Sequence, residues 1–87
     1  MDTKTLNQQA IALHRSGRLA EAENLYLQVL AAAPHDFAAR HFLGVIKAQS
    51  GRADEALADI SLALEIKPND PDIEQALRFV REARPPR

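Results

Sequence analysis

The sequence contains no cysteine, and this absence removes several classes of function at once. Without a thiol there is no disulfide, no thiolate metal site and no cysteine nucleophile. Neither acidic nor basic residues are in excess, because the formal net charge is −1. A protein that binds nucleic acid usually carries a basic excess that displaces counterions from phosphate. We therefore expect no nucleic-acid partner.

Long apolar runs are also missing. The first residues, MDTKTLN, do not resemble a signal peptide, and no apolar run approaches the roughly 20 residues that span a bilayer. We therefore expect no membrane partner and a cytoplasmic location. A length of 87 residues, with 46% hydrophobic and 26% charged, is enough for one small globular domain. The sequence predicts a single domain over residues 1–87.

The sequence does contain an internal repeat, in which Ser16 recurs as Ser50 and Pro34 as Pro68. Residues 3–36 and 37–70 share eight identities when they are aligned without gaps. The matched residues of the first copy are Ser16, Gly17, Arg18, Glu21, Ala22, Leu30, Pro34 and Asp36. All eight recur 34 residues later in the chain. A fixed period of this length indicates stacked copies of one supersecondary unit.

In each copy, the repeated residues mark the ends of a pair of helices. Gly17 and Gly51 suit a left-handed turn between two helices, because glycine has no Cβ to clash there. Pro34 and Pro68 suit the end of the second helix, since proline cannot continue a helix. Asp36 and Asp70 follow these prolines by two residues and are predicted helix N-caps. The pattern predicts helices over about 4–15, 19–32, 37–49, 53–66 and 71–83.

These residues resemble the tetratricopeptide repeat family over nearly the whole chain. Leu43 and Gly44 match the leucine–glycine pair that the family carries in its first helix. Arg40 and Lys47 depart from it, since they stand where an aromatic residue and a tyrosine are common. The stretch 36–45 also looks like bacterial repeats that are often joined to glycosyltransferase domains. The resemblance implies an all-α solenoid: repeat one at 3–36, repeat two at 37–70, a capping helix at 71–83 and a tail at 84–87.

The same resemblance implies a right-handed superhelix whose first helices form a concave groove for a peptide or protein segment. By register, the groove would include Lys4, Asn7, Ile11, His14, Arg15, His41, Val45, Gln49, Asp72, Gln75, Phe79 and Glu82. Positions one period apart form columns along the groove. One column, Asn7, His41 and Gln75, carries hydrogen-bonding side chains, and another, Ile11, Val45 and Phe79, is apolar. Alternatively, Ile11 and Val45 pack against neighbouring second helices.

No residue pattern in the sequence indicates a catalytic site or a metal site. Serines lack a partner that would orient them as nucleophiles, and no glycine-rich phosphate loop is present. His14, His35 and His41 are not spaced three or four apart on one helix face, as a pair of metal ligands on a helix would be. We expect no enzyme activity, no cofactor and no metal.

Three functions remain open: a protein-binding adaptor, the substrate-presenting N-terminal segment of a larger glycosyltransferase, and a self-assembling scaffold. The last is favoured by size, since repeats of this kind usually need about three copies for stability. We predict weak self-association as a homodimer, because Leu6, Ala10, Ile11 and Leu13 of the first helix have few helices available to cover them.

Overall fold

The computed structural model describes residues 2–83, and within that range the chain forms five α-helices. They are α1 (Thr3–Arg15), α2 (Leu19–Ala32), α3 (Phe37–Gln49), α4 (Ala53–Ile66) and α5 (Pro71–Ala83). The predicted all-α fold is confirmed, and of the predicted helix limits only the start of α1 moves, one residue earlier. The predicted tail, 84–87, lies outside the described residues.

Three aspartates, each one period from the next, lie at the starts of α1, α3 and α5. The carboxylate of Asp2 accepts a hydrogen bond from the Thr5 amide at 2.7 Å. Asp36 accepts one from the Ala39 amide at 3.0 Å, and Asp70 accepts one from the Ile73 amide at 3.2 Å. Each bond satisfies an amide that has no partner within its own helix, so the predicted caps Asp36 and Asp70 are confirmed. The sequence reading missed Asp2, although it lies one period before Asp36.

The turn inside each helix pair depends on a glycine. Gly17 has a φ of 81° and Gly51 a φ of 80°, in the left-handed region that side chains disfavour. Both follow the last residue of a first helix by two positions and return the chain into α2 and α4. The predicted glycine turns are therefore confirmed.

The helices pack in sequence order around two apolar clusters. α1 packs on α2, α3 on α4, and α3 also contacts α2 and α5. The first cluster, from α1 to α3, includes Tyr26, Leu43 and Ile46, and the second, from α3 to α5, includes Ile60 and Val80. Each cluster is shared by consecutive helix pairs, as stacked repeats require.

The reason given for self-association through α1 does not hold. Leu6 is 8% exposed and Ala10 fully buried, and Ile11 and Leu13 are half-buried against the first cluster. α2 and α3 therefore cover this edge better than expected. The homodimer itself stays a prediction, which sedimentation at rising concentration tests.

The crossing of α3 and α4 is too close for a side chain at Gly44. A Cβ built on Gly44 would lie 2.6 Å from both Cγ1 and Cδ1 of Ile60, and 3.2 Å from the carbonyl oxygen of Ala56. Ala56 itself is fully buried. The small residues at positions 44 and 56 thus let the two helices of the second pair approach closely.

A buried carboxylate links the same two helices. Asp59 on α4 is 5% exposed, and its two oxygens bind two cations of α3. Arg40 Nη1 lies 3.1 Å from Oδ1, and Lys47 Nζ lies 2.7 Å from Oδ2. Arg40 and Lys47 are the two departures from the family pattern noted above, so one carboxylate accounts for both.

The first helix pair has leucines at the three matching positions. Counting back one period from Arg40, Lys47 and Asp59 gives Leu6, Leu13 and Leu25. Leu6 is buried, and Leu13 and Leu25 pack partly buried against the first cluster. One packing site is thus apolar in the first repeat and ionic in the second. The common partner of Arg40 and Lys47 was not predicted from the sequence.

A second ion pair ties the two helix pairs together. Arg52, just before α4, donates through both terminal nitrogens to the carboxylate of Glu23 on α2, with Nη1 3.1 Å from Oε2. This bidentate bond holds the pKa of Glu23 below its usual value. The equivalent arginine, Arg18, instead pairs with Glu21 of the helix that it precedes. The same repeated arginine therefore serves a local contact in one copy and an inter-repeat contact in the other.

Candidate functional site

Three adjoining cavities run across the side chains of α1, α3 and α5, and we call this surface the first-helix face. The α1 cavity has a volume of about 350 Å³ and lies between α1 and the start of α3. The middle cavity, about 360 Å³, shares Ile11 with it. The α5 cavity, about 450 Å³, lies between α3 and α5 and shares Phe42 with the middle cavity. The three cavities therefore form one continuous depression.

Eleven of the twelve groove residues named above line these cavities. The α1 cavity contains Lys4, Asn7 and Ile11, the middle cavity Ile11, His14, Arg15 and Gln49, and the α5 cavity His41, Val45, Asp72, Gln75 and Phe79. Because the three helices carry equivalent positions at equal spacing, residues of one column project from neighbouring helices in the same direction. The register read from the sequence thus identifies eleven side chains that the structure brings together.

Phe42 belongs to the same surface, and the sequence reading missed it as a groove residue. It lines both the middle and the α5 cavity. Its equivalents one period away, Gln8 and Ala76, line the α1 and α5 cavities. The three differ in chemistry, so no shared property marked them, but the repeat register that identified the other columns would have included them.

The side chain of Asn7 makes a contact within the fold. Its amide Nδ2 lies 3.4 and 3.3 Å from the two carboxylate oxygens of Asp36, the residue that caps α3. Its Oδ1 is buried and has no partner among the described residues. The side chain therefore fixes the junction of α1 and α3 in addition to lining the cavity.

His14 and Gln49 connect the two helices that flank the middle cavity. His14 Nε2 lies 2.8 Å from Oε1 of Gln49. Because that oxygen accepts, the imidazole Nε2 must carry a proton. The bond is exposed, so both groups can exchange partners with water or with a ligand.

His41 lies half-buried beside Phe42. Their rings stack with centroids 4.7 Å apart, and Phe42 in turn stacks on the buried Tyr26 at 6.0 Å. Burial lowers the pKa of His41 below its usual value, and the nearby carboxylates of Asp70 and Asp72 oppose that shift. The imidazole is thus held in its neutral form at neutral pH, where one nitrogen can donate and the other can accept.

The apolar column has two half-buried members and one exposed member. Ile11 and Val45 are half-buried and pack against the first and second clusters, which agrees with the alternative given for them above. Phe79 differs, because it is 46% exposed and belongs to neither cluster. Of this column, Phe79 is therefore the side chain that is free to be covered by a ligand.

Another cavity, which we call the outer cavity, lies between α4 and the segment that joins α2 to α3. It has a volume of about 510 Å³ and is lined by Pro34, His35, Arg40, Leu62, Glu65 and Ile66. Leu62 is 41% and Ile66 36% exposed. It is larger than each of the three cavities singly, and it shares His35 with the α1 cavity.

The histidines do not gather into a metal site. Within residues 2–83, no three His, Cys, Asp or Glu side chains come together as a metal site would need. The three histidines are spread over the cavities, with His35 in the α1 and outer cavities. The helices of that same range are all too short or too polar to cross a bilayer.

Comparison with known proteins adds one finding. The family model for the tetratricopeptide repeat matches residues 7–71, which include most of α1 and all of α2 to α4. None of the curated proteins compared with the chain matches it.

Proposed function

Because the chain belongs to the tetratricopeptide repeat family, we propose that its first-helix face binds a peptide or protein segment. Repeats of this family are generally protein-interaction modules. The proposal includes the division into repeats at 3–36 and 37–70 with a cap at 71–83, and a role that is binding rather than catalysis.

The observation that carries the proposal is the continuity of the three cavities through Ile11 and Phe42. A continuous depression crossing three helices fits an extended chain, whereas a compact small molecule would need one enclosed pocket. Its lining places a column of hydrogen-bonding side chains beside an apolar column, which suits the backbone groups and apolar side chains of a peptide.

Phe79 is the proposed anchor, and its truncation is the first test. Peptides selected from a random phage-displayed library on the wild-type protein are titrated against Phe79→Ala. Aromatic anchors in grooves often contribute about 2 kcal/mol or more, so we expect affinity to fall by more than about tenfold. Because Phe79 is outside both clusters, the melting temperature should change little.

Leu62→Ala is the matched control. Leu62 is 41% exposed, close to the 46% of Phe79, but it lines the outer cavity. We expect this variant to bind the selected peptides like the wild type. A loss of affinity in Leu62→Ala with none in Phe79→Ala would move the binding surface to the outer cavity and contradict the proposal.

A further inference from the structure

The charges on the first-helix face are separated by helix. α1 contributes the exposed cations Lys4 and Arg15, and α5 contributes the exposed carboxylates Asp72 and Glu82. Between them, the equivalent positions of α3 are uncharged: Ala38, Ala48 and Gln49. Asp36 also lines the α1 cavity, but its carboxylate accepts hydrogen bonds from the Ala39 amide and from Asn7. Among the exposed charged side chains of α1 and α5 named here, the cations therefore lie at one end of the face and the carboxylates at the other.

Helix dipoles account for only half of this arrangement. Arg15 in the last turn of α1 and Asp72 in the first turn of α5 suit the dipoles of their helices. Lys4 and Glu82 do not, because they place a cation at a helix start and an anion at a helix end. Helix stability therefore opposes these two charges and does not explain them.

The four charges are also available to a ligand. Within residues 2–83, the ion pairs of the fold involve other side chains, and none neutralises these four. Three of the four line cavities: Lys4 the α1 cavity, Arg15 the middle cavity and Asp72 the α5 cavity. Their charge can therefore pair with a bound chain.

We propose that the first-helix face binds an extended peptide segment that is acidic at the end over α1, apolar in the middle and basic at the end over α5. This inference rests on the proposed function. The apolar middle would lie over Phe42, Val45 and Phe79. Packed helices lie about 10 Å apart, so α1 and α5 are roughly 20 Å apart, a span of about six extended residues.

The test compares three proteins in the same peptide selection: the wild type, Lys4→Glu with Arg15→Glu, and Asp72→Lys with Glu82→Lys. Each is immobilised and exposed to a phage library of random peptides about twelve residues long, enough for the roughly six-residue span and its flanks. The exchanged side chains are all exposed, and circular dichroism checks that the folds match. Selected peptides are then synthesised, labelled and titrated by fluorescence anisotropy against all three proteins.

The wild type should select peptides whose acids and bases are segregated to opposite ends. The α1 variant should select basic residues at both ends, and the α5 variant acidic residues at both ends. A wild-type peptide should bind each variant at least about fivefold more weakly, since several exposed ion pairs are lost and replaced by repulsion. That difference should shrink as salt is added.

Three results would overturn the inference in different ways. Peptides that bind all three proteins equally, with no charge order, would remove the inference and leave the proposed function standing. The absence of any saturable peptide binding would remove both. If the wild type instead forms a dimer that either charge-reversed variant loses, and binds no peptide, the face pairs with a second copy and the peptide proposal is wrong.

Discussion

Asp59 and its two cations show that equivalent packing sites of two repeats can be filled either by apolar side chains or by ion-paired ones. The first repeat fills the site with Leu6, Leu13 and Leu25, whereas the second places Arg40, Lys47 and Asp59 there. A leucine at position 59 alone would leave both Arg40 and Lys47 without a counterion, and a charge placed alone among the three leucines would have none either.

This exchange predicts opposite outcomes for one and three substitutions. Asp59→Leu alone leaves Arg40 and Lys47 without a carboxylate and should lower the free energy of unfolding by on the order of 3 kcal/mol. The triple variant Arg40→Leu, Lys47→Leu, Asp59→Leu reproduces the first repeat and should regain most of that loss. Urea denaturation measures both, and a triple variant no more stable than the single one would contradict the account.

His41 predicts how stability depends on pH. Its pKa in the folded protein is below the usual value because burial disfavours the imidazolium. The unfolded chain therefore binds the proton first as pH falls, so stability is full above the unfolded pKa and is lost as pH falls towards the folded pKa. Asp70 and Asp72 face the imidazole, and the pKa of Asp70 is held low by the amide of Ile73.

The comparison with His41→Gln isolates this effect. Glutamine keeps a hydrogen-bonding side chain but does not titrate, while His14 and His35 are common to both proteins. Between about pH 7.5 and pH 5.5, urea midpoints of the wild type should fall more than those of the variant. Equal falls in both proteins would assign the pH dependence to other groups.

At the scale of the elements, the helices could be predicted because each boundary carries a local signal that recurs. Aspartate caps, glycine turns and proline ends all act through their own backbone and need no tertiary contact. Tertiary features were harder to foresee. Arg40 and Lys47 lie two turns apart on one face of α3, but only the antiparallel packing of α4 brings Asp59 between them.

The crossing of α3 and α4 yields a prediction of its own. Gly44→Ala adds a methyl that would meet Ile60 and the backbone of Ala56. We expect a loss of about 1–3 kcal/mol from overpacking, despite the better helix propensity of alanine. The substitution should cost less in an Ile60→Val background, which removes one of the contacting carbons. Thermal melts of the four proteins give this coupling, and identical costs in both backgrounds would contradict the close approach.

At the scale of the whole molecule, the same period determines both fold and candidate site. The register of the repeat identified eleven side chains that line the three adjoining cavities. It could not show that Asn7 binds Asp36, or that Ile11 and Val45 also pack on the core. Those contacts depend on the distances between the packed helices, which the period of the sequence does not determine.

Chemical-shift mapping tests the binding face most directly. A peptide selected on the wild type is titrated into the ¹⁵N-labelled protein, and amide shifts are followed along the whole chain. The account predicts that the largest changes occur on α1, α3 and α5, around Ile11, His41 and Phe79. Changes centred instead on α2 and α4, around Leu62 and Ile66, would show that the peptide binds the opposite side and would contradict the account.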